Sequence, residues 1–171
     1  MKSRTIFWGS AALLVHTHVT YPLALAALER VRGRREGALP TLGWIPTVSL
    51  VIAAHDEEDV IAAKLANALA LDYPRERVEL IVASDGSTDR TVAAATEAGA
   101  DLVLDLPRGG KIAAQNAAVE RATGEIVAFS DANAFWERGA LRELVAPFYE
   151  DDVGYVCGQV RFLDAAGDNE E

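Results

Sequence analysis

The chain has 171 residues, half of them hydrophobic and a quarter charged, which excludes a disordered tail. Its formal net charge of −10 is unevenly spread: residues 1–35 carry six basic residues and one acid, and residues 36–171 carry ten basic and 25 acidic. So acidic a remainder is a poor generic nucleic-acid binder, and the single Cys157 excludes an intrachain disulfide framework and a cysteine zinc site.

Residues 6–28 form a run of 23 without Asp, Glu, Lys or Arg, and sixteen of them are apolar. A membrane helix needs roughly 20 such residues, and Trp8 lies near one end, where amphipathic rings favour the interface. Lys2 and Arg4 precede the run, and Arg30, Arg32, Arg34 and Arg35 follow it. The heavier basic flank belongs in the cytoplasm, so the reading is an anchor over residues 1–31 with the rest of the chain on the cytoplasmic side of the membrane. A cleaved signal peptide is the alternative, with Met1 to Arg4 as its basic start. His16, Thr17, His18 and Thr20 make the middle of the run polar, and Pro22 is expected to kink it. The His16 and His18 pair lacks a third ligand and reads as helix packing.

Residues 32–46 (RGRREGALPTLGWIP) are rich in Gly, Arg and Pro and read as a juxtamembrane linker. A regular pattern follows. Residues 48–53 (VSLVIA) read as a buried strand, and residues 58–71 as a helix with Ile61, Leu65 and Leu69 on one face. Residues 79–83 read as a strand, 89–98 as a helix, 101–104 as a short strand, 111–122 as a helix and 125–130 as a strand. Residues 139–148 place Leu141, Leu144, Val145 and Phe148 on one helical face. Residues 153–162 are a last strand candidate, with Cys157 as a small core residue inside it. This alternation predicts an α/β fold, a mostly parallel sheet with helices on both faces. Ligands of such sheets bind beyond the carboxyl ends of the strands.

Three short motifs sit at those ends. His55-Asp56-Glu57-Glu58-Asp59 follows the first strand, either as acids that complement a helix dipole or as readers of a nucleotide. Ser84-Asp85-Gly86-Ser87-Thr88-Asp89 follows the second. Gly86 permits a turn at positive φ, and Ser87 or Thr88 is a candidate helix cap. Asp85 is a candidate acceptor for the N–H and O–H groups of a nucleoside. Asp131-Ala132-Asn133 follows the fourth, either as a turn or as two oxygen ligands for a hard cation on a diphosphate. Arg108-Gly109-Gly110-Lys111 is a Gly-rich turn that opens a helix with two cations, a setting that suits phosphate. Neither a GxxxxGK[ST] nor a GxGxxG spacing occurs.

In this order the segments VSLVIAAHDEE, LDYPRERVELIVASDGSTDRT and RGGKIAAQNAAVERATGEIVAFSDANA resemble the N-terminal half of family 2 glycosyltransferases, from about Thr47 to Gln159. Membrane-anchored members that build cellulose, hyaluronan and poly-N-acetylglucosamine are the most similar. The resemblance implies a GT-A fold, Rossmann-like, over residues 47–171. It also implies inverting transfer from a nucleotide-sugar donor, with a UDP-sugar expected, to a glycan or lipid-linked acceptor. Residue by residue, Ala54 and Glu57 match the loop around the nucleoside, and Asp85 the aspartate at the uracil or ribose. Gly110, Lys111 and Asn116 match the stretch lining the donor pocket. Asp131 matches the first aspartate of the DXD motif that holds Mg2+ or Mn2+, with Asn133 in place of the second. Ser84 stands where many members have Asp.

The family's base lies in a later acidic motif, and processive members add a QxxRW motif. Neither occurs before Glu171, so the chain reads as a fragment whose catalytic base is expected beyond that residue. Two rival functions remain. A sugar-phosphate nucleotidyltransferase would place a Gly/Arg/Lys signature where AHDEE stands. A membrane-tethered, non-catalytic nucleotide-binding module would need no base.

Overall fold

In the computed structural model of the protein, which describes residues 2–32 and 43–160, the first unit is a helix with an irregular middle. Helix α1 (Lys2–Val15) runs through a π-helical turn (His16–Thr20) into α2 (Tyr21–Arg32). Pro22 explains the wider turn. Its ring crowds the carbonyl four residues back, at His18, and it has no N–H to offer that carbonyl. The polar side chains there fold back onto the same helix. Thr17 Oγ1 donates to the Leu13 carbonyl at 2.9 Å and Thr20 Oγ1 to the His16 carbonyl at 3.1 Å. Nδ1 of His16 meets Thr20 Oγ1 at 2.7 Å, and Nδ1 of His18 the Leu14 carbonyl at 3.0 Å. These bonds pair both threonine hydroxyls and one ring nitrogen of each histidine within the helix, and residues 4–31 are long and apolar enough to cross a membrane.

The second unit is built on four parallel strands in the order β3-β2-β1-β4: β1 (Val48–Ala54), β2 (Val78–Asp85), β3 (Leu102–Leu106) and β4 (Ile126–Asp131). Both central strands, β1 and β2, are covered on both faces, which is why their sequences are near-continuous apolar runs. On one face Leu50, Ile52, Leu80 and Val82 pack against α3 (Ile61–Leu69), α4 (Thr91–Glu97) and α6 (Ala140–Val145). On the other, Val51, Ile81 and Ala83 pack against Ala114 and Ala118 of α5 (Lys111–Val119).

At the amino ends of the strands a polar knot closes the sheet. Ser49 Oγ donates to Glu79 and accepts the N–H groups of Thr123 and Gly124, at 3.2 and 2.8 Å. Glu79 accepts the N–H and O–H of Thr123 as well. Desolvation pushes the Glu79 carboxyl up, but these hydrogen bonds outweigh it and hold the group below its usual range. Gly124 passes so close to β1 that a Cβ there would lie 2.4 Å from Ser49 N and 2.7 Å from Val48 C.

From residue 48 on, the strands and helices expected from the sequence lie where they were placed, with three corrections, and most of the linker expected over residues 32–46 lies outside the described residues. The buried face of α3 is Ile61, Lys64, Leu65 and Ala68, whereas Leu69 is 44% exposed. A spacing of exactly four drifts about 40° per step around a helix of 3.6 residues per turn, so Leu69 has rotated out and Lys64 has rotated in. Helix α6 stops at Val145 and continues as a 3-10 turn (Ala146–Tyr149), because Pro147 cannot donate to the α-helical ladder. Residues 153–160 are not a strand and have no ladder partner among the described residues, and residues 161 and 162 lie outside the described set. Cys157 is accordingly exposed rather than in the core.

Candidate donor-binding site

Strand β1 leads to β2 on one side, and β4 returns to its other side, so the order of the strands reverses at β1. A crevice opens at such a reversal, beyond the carboxyl ends. Register aligns those ends: Ala53 lies opposite Asp131, and Ala54 opposite Ser84. A pocket of about 280 Å³ occupies the crevice. Ala54, Glu57, Asp85, Gly110, Lys111, Asp131 and Asn133 line it, seven of the eight positions singled out in the sequence. The eighth, Asn116, is placed further along α5, exposed and outside the lining. His55 and Arg108 join the wall.

Asp85 is only 5% exposed and is held by the Gly-rich turn. Its Oδ1 accepts the N–H of Gly109 at 2.6 Å and of Gly110 at 2.9 Å, and the Arg108 guanidinium lies 3.5 Å from Oδ2. The Gly109 N–H first, then Gly110, Arg108 and His55, keep this carboxyl below the usual carboxylate range against its desolvation. Gly86 makes the approach feasible. It sits at φ +64°, donates to the Leu106 carbonyl at 2.8 Å, and a Cβ on it would meet Arg108 N at 2.7 Å. Asp85 therefore shapes the turn that carries Gly110 and Lys111 into the pocket, in addition to facing it.

The loops after β1 and β2 are joined to one another. Asp56, at φ +52°, accepts the Thr88 N–H at 2.7 Å, and its own N–H donates to Ser87 Oγ at 3.1 Å. Glu57 N–H donates to Thr91 Oγ1 at 2.8 Å, Glu58 N–H to Asp89 at 3.1 Å, and Arg90 N–H to Glu58 at 2.8 Å. Asp89 accepts the Thr91 N–H at 2.9 Å just before α4, whose N-cap position is Arg90 and carries no side-chain cap bond. Ser87 and Thr88 therefore do not cap the helix and bond across to Asp56 instead. Desolvation raises the Asp89 carboxyl, but the bonds from Thr91 and Glu58 bring it below its usual range.

Asp131 and Asn133 face the pocket on either side of Ala132, which is 3% exposed in the core. Asp131 pairs with the Lys111 ammonium at 2.5 Å, with both side chains about half exposed. His55 Nδ1 is buried in the wall with no hydrogen-bond partner among the described residues. The fit to a hard cation follows from the donor set. One carboxylate and one amide oxygen do not enclose an ion, but they suit Mg2+ or Mn2+ shared with a diphosphate and water.

One buried group was missed in the sequence. Lys64 is 1% exposed, reaches the Ala134 carbonyl and lies 5.2 Å from the centre of the Trp136 ring. Burial lowers its pKa from 10.5 to about 8, against the opposing pull of the Asp131 charge. The signal was present: positions 61, 64, 65 and 68 have the i, i+3, i+4, i+7 spacing of a buried helix face.

The chain and its fold are similar to those of known proteins. Residues 49–170 match the family described as Glycosyl transferase family 2. The chain is 34% identical over 131 residues to the probable glycosyltransferase YdaM of Bacillus subtilis, covering 71% of this chain and 31% of that protein. It is 35% identical over 164 residues to the beta-monoglucosyldiacylglycerol synthase of Nostoc sp. (strain PCC 7120), covering 91% and 34%. Among solved structures, the mannosyltransferase PcManGT from Pyrobaculum calidifontis, in complex with GDP-Man and Mn2+, superposes with a TM-score of 0.71 at 31% identity, over 84% of this chain and 44% of that one. The chain spans about a third of the length of these curated relatives. With the family matching well over half of its residues, the chain belongs to glycosyl transferase family 2.

Proposed function

We propose that the second unit binds the nucleotide-sugar donor of an inverting glycosyltransferase whose acceptor is a glycan or a lipid-linked sugar. The observation that carries this is the convergence of Asp85, Lys111 and Asp131 on one pocket at the carboxyl ends of three strands. In this reading Glu57, His55 and Ala54 form the nucleoside side, and Lys111 and the Gly110 turn form the phosphate side. Asp131 and Asn133 would hold Mg2+ or Mn2+, which supplies charge neutralisation for a departing diphosphate. The 131–133 segment orients those oxygens, and Lys111 adds a second positive charge on the phosphates. None of these pocket residues is assigned as the base that takes the proton of the acceptor hydroxyl. GDP-Man in PcManGT keeps GDP beside UDP as a donor nucleotide to be tested.

Calorimetric titration of the full chain in detergent micelles tests the assignment. At least one of UDP and GDP is expected to bind, with Mn2+ raising its affinity roughly tenfold or more, and Asp131→Ala is expected to remove that gain. Absence of binding by either nucleotide, or a gain that survives Asp131→Ala, would sink it.

We further propose that residues 4–31 anchor the chain in the cytoplasmic membrane with the second unit inside the cell, on the strength of the basic residues that follow the helix. Protease added outside intact spheroplasts is then expected to leave residues 43–160 uncut. Their digestion would reverse the orientation.

A further inference from the structure

The segment bearing Asp131 and Asn133 is fixed at its start by the ladder, where Asp131 lies opposite Ala53, and by Ala132 in the core. Beyond that point a helix takes over. The Lys64 ammonium donates to the Ala134 carbonyl. Asn67, three residues further on the same face of α3, holds both backbone groups of Trp136. Its Nδ2 donates to the Trp136 carbonyl at 2.9 Å, and its Oδ1 accepts the Trp136 N–H at 2.9 Å. The Trp136 ring lies against the lysine head group. A lysine buried to 1% exposure is a poor choice for packing alone, since an apolar chain of the same length avoids the desolvation of its charge. Here the charge is placed on a carbonyl three residues after Asp131. It lies outside the pocket lining, so it does not meet the donor itself.

We propose that Lys64 and Asn67 are positioning residues: they clamp residues 134–136 so that Asp131 and Asn133 present their oxygens to the cation in one geometry. The inference rests on the donor-site reading above. Groups that orient metal ligands typically change metal affinity by roughly 10- to 100-fold when removed.

The test uses the full chain in detergent micelles with Lys64→Met and, separately, Asn67→Ala. Methionine keeps the length of the lysine stem, and alanine is the stronger helix former, so both variants retain α3. Three quantities are measured: affinity for UDP and GDP without Mn2+, the same with Mn2+, and amide hydrogen exchange in the absence of any ligand. In both variants the Mn2+-dependent gain is expected to fall by roughly tenfold or more, while metal-free affinity stays within about twofold. Exchange at residues 131–136 is expected to accelerate with β1 and β2 unchanged. An unaltered Mn2+-dependent gain overturns the clamp. So does a loss of metal-free affinity together with faster exchange in β1 and β2, which is what a purely structural role would produce. If the parent chain itself shows no Mn2+-dependent gain, the donor-site reading fails first and the clamp with it.

Discussion

Alanine at Gly124 is expected to lower the thermal midpoint of the second unit by ~10–20 °C, equivalent to roughly 3–5 kcal/mol. The added Cβ would meet Ser49 N at 2.4 Å and Val48 C at 2.7 Å, both backbone atoms of fully buried residues in a central strand. Backbone atoms of a central strand cannot rotate away as a side-chain tip can. The start of β4 must therefore move off β1, and the bonds from Thr123 and Gly124 to Ser49 and Glu79 go with it. Tryptophan fluorescence follows the transition, because Trp44 and Trp136 pack against the core. A shift of less than ~3 °C would show that the sheet tolerates the methyl group and that the close approach is not a constraint.

Stability of the parent chain relative to Lys64→Met is expected to rise by about 3 kcal/mol as the pH climbs from 7 to beyond 10.5. The sign follows from the depressed pKa. Lys64 titrates at about 8 in the fold and near its usual 10.5 when unfolded. Between those values the unfolded chain binds the extra proton, so raising the pH favours the fold. Below about 8 both states are charged, and the whole penalty of the buried ammonium is present. Methionine carries no such charge, so other titrating groups cancel in the comparison. Denaturant titrations of the two chains at matched pH supply the measurement. A difference that stays flat from pH 7 to 10.5 would mean that Lys64 keeps its ordinary pKa and is better hydrated than its burial implies.

The strands and most of the pocket could be read from the residues alone. Residues 48–54 and 78–85 are apolar on both faces because both faces are covered, and strand length separates them from helices. The acidic and glycine-rich motifs were legible because each follows a strand, and a parallel sheet places its ligands there. What was not legible depends on partners far away in the chain. Asp85 is bound by N–H groups 24 and 25 positions later, which no local pattern announces. Ser87 and Thr88 looked like caps for the next helix, yet their partner is Asp56 in another loop. Lys64 was passed over because lysine usually marks a solvent face, and only the helical spacing with Ile61, Leu65 and Ala68 places it inside. Residues 153–160 have strand-forming composition, but a strand exists only where a neighbour supplies the ladder.

The joined loops after β1 and β2 act as a single rim rather than as two adjustable lips. Asp56, Glu57 and Glu58 each have a partner among Ser87, Thr88, Asp89, Arg90 and Thr91. A change in either member of a pair is therefore felt in both loops. Transplanting one loop from a relative would leave two or three of these five bonds without their side-chain acceptor, so any redesign of this rim has to exchange the two loops together.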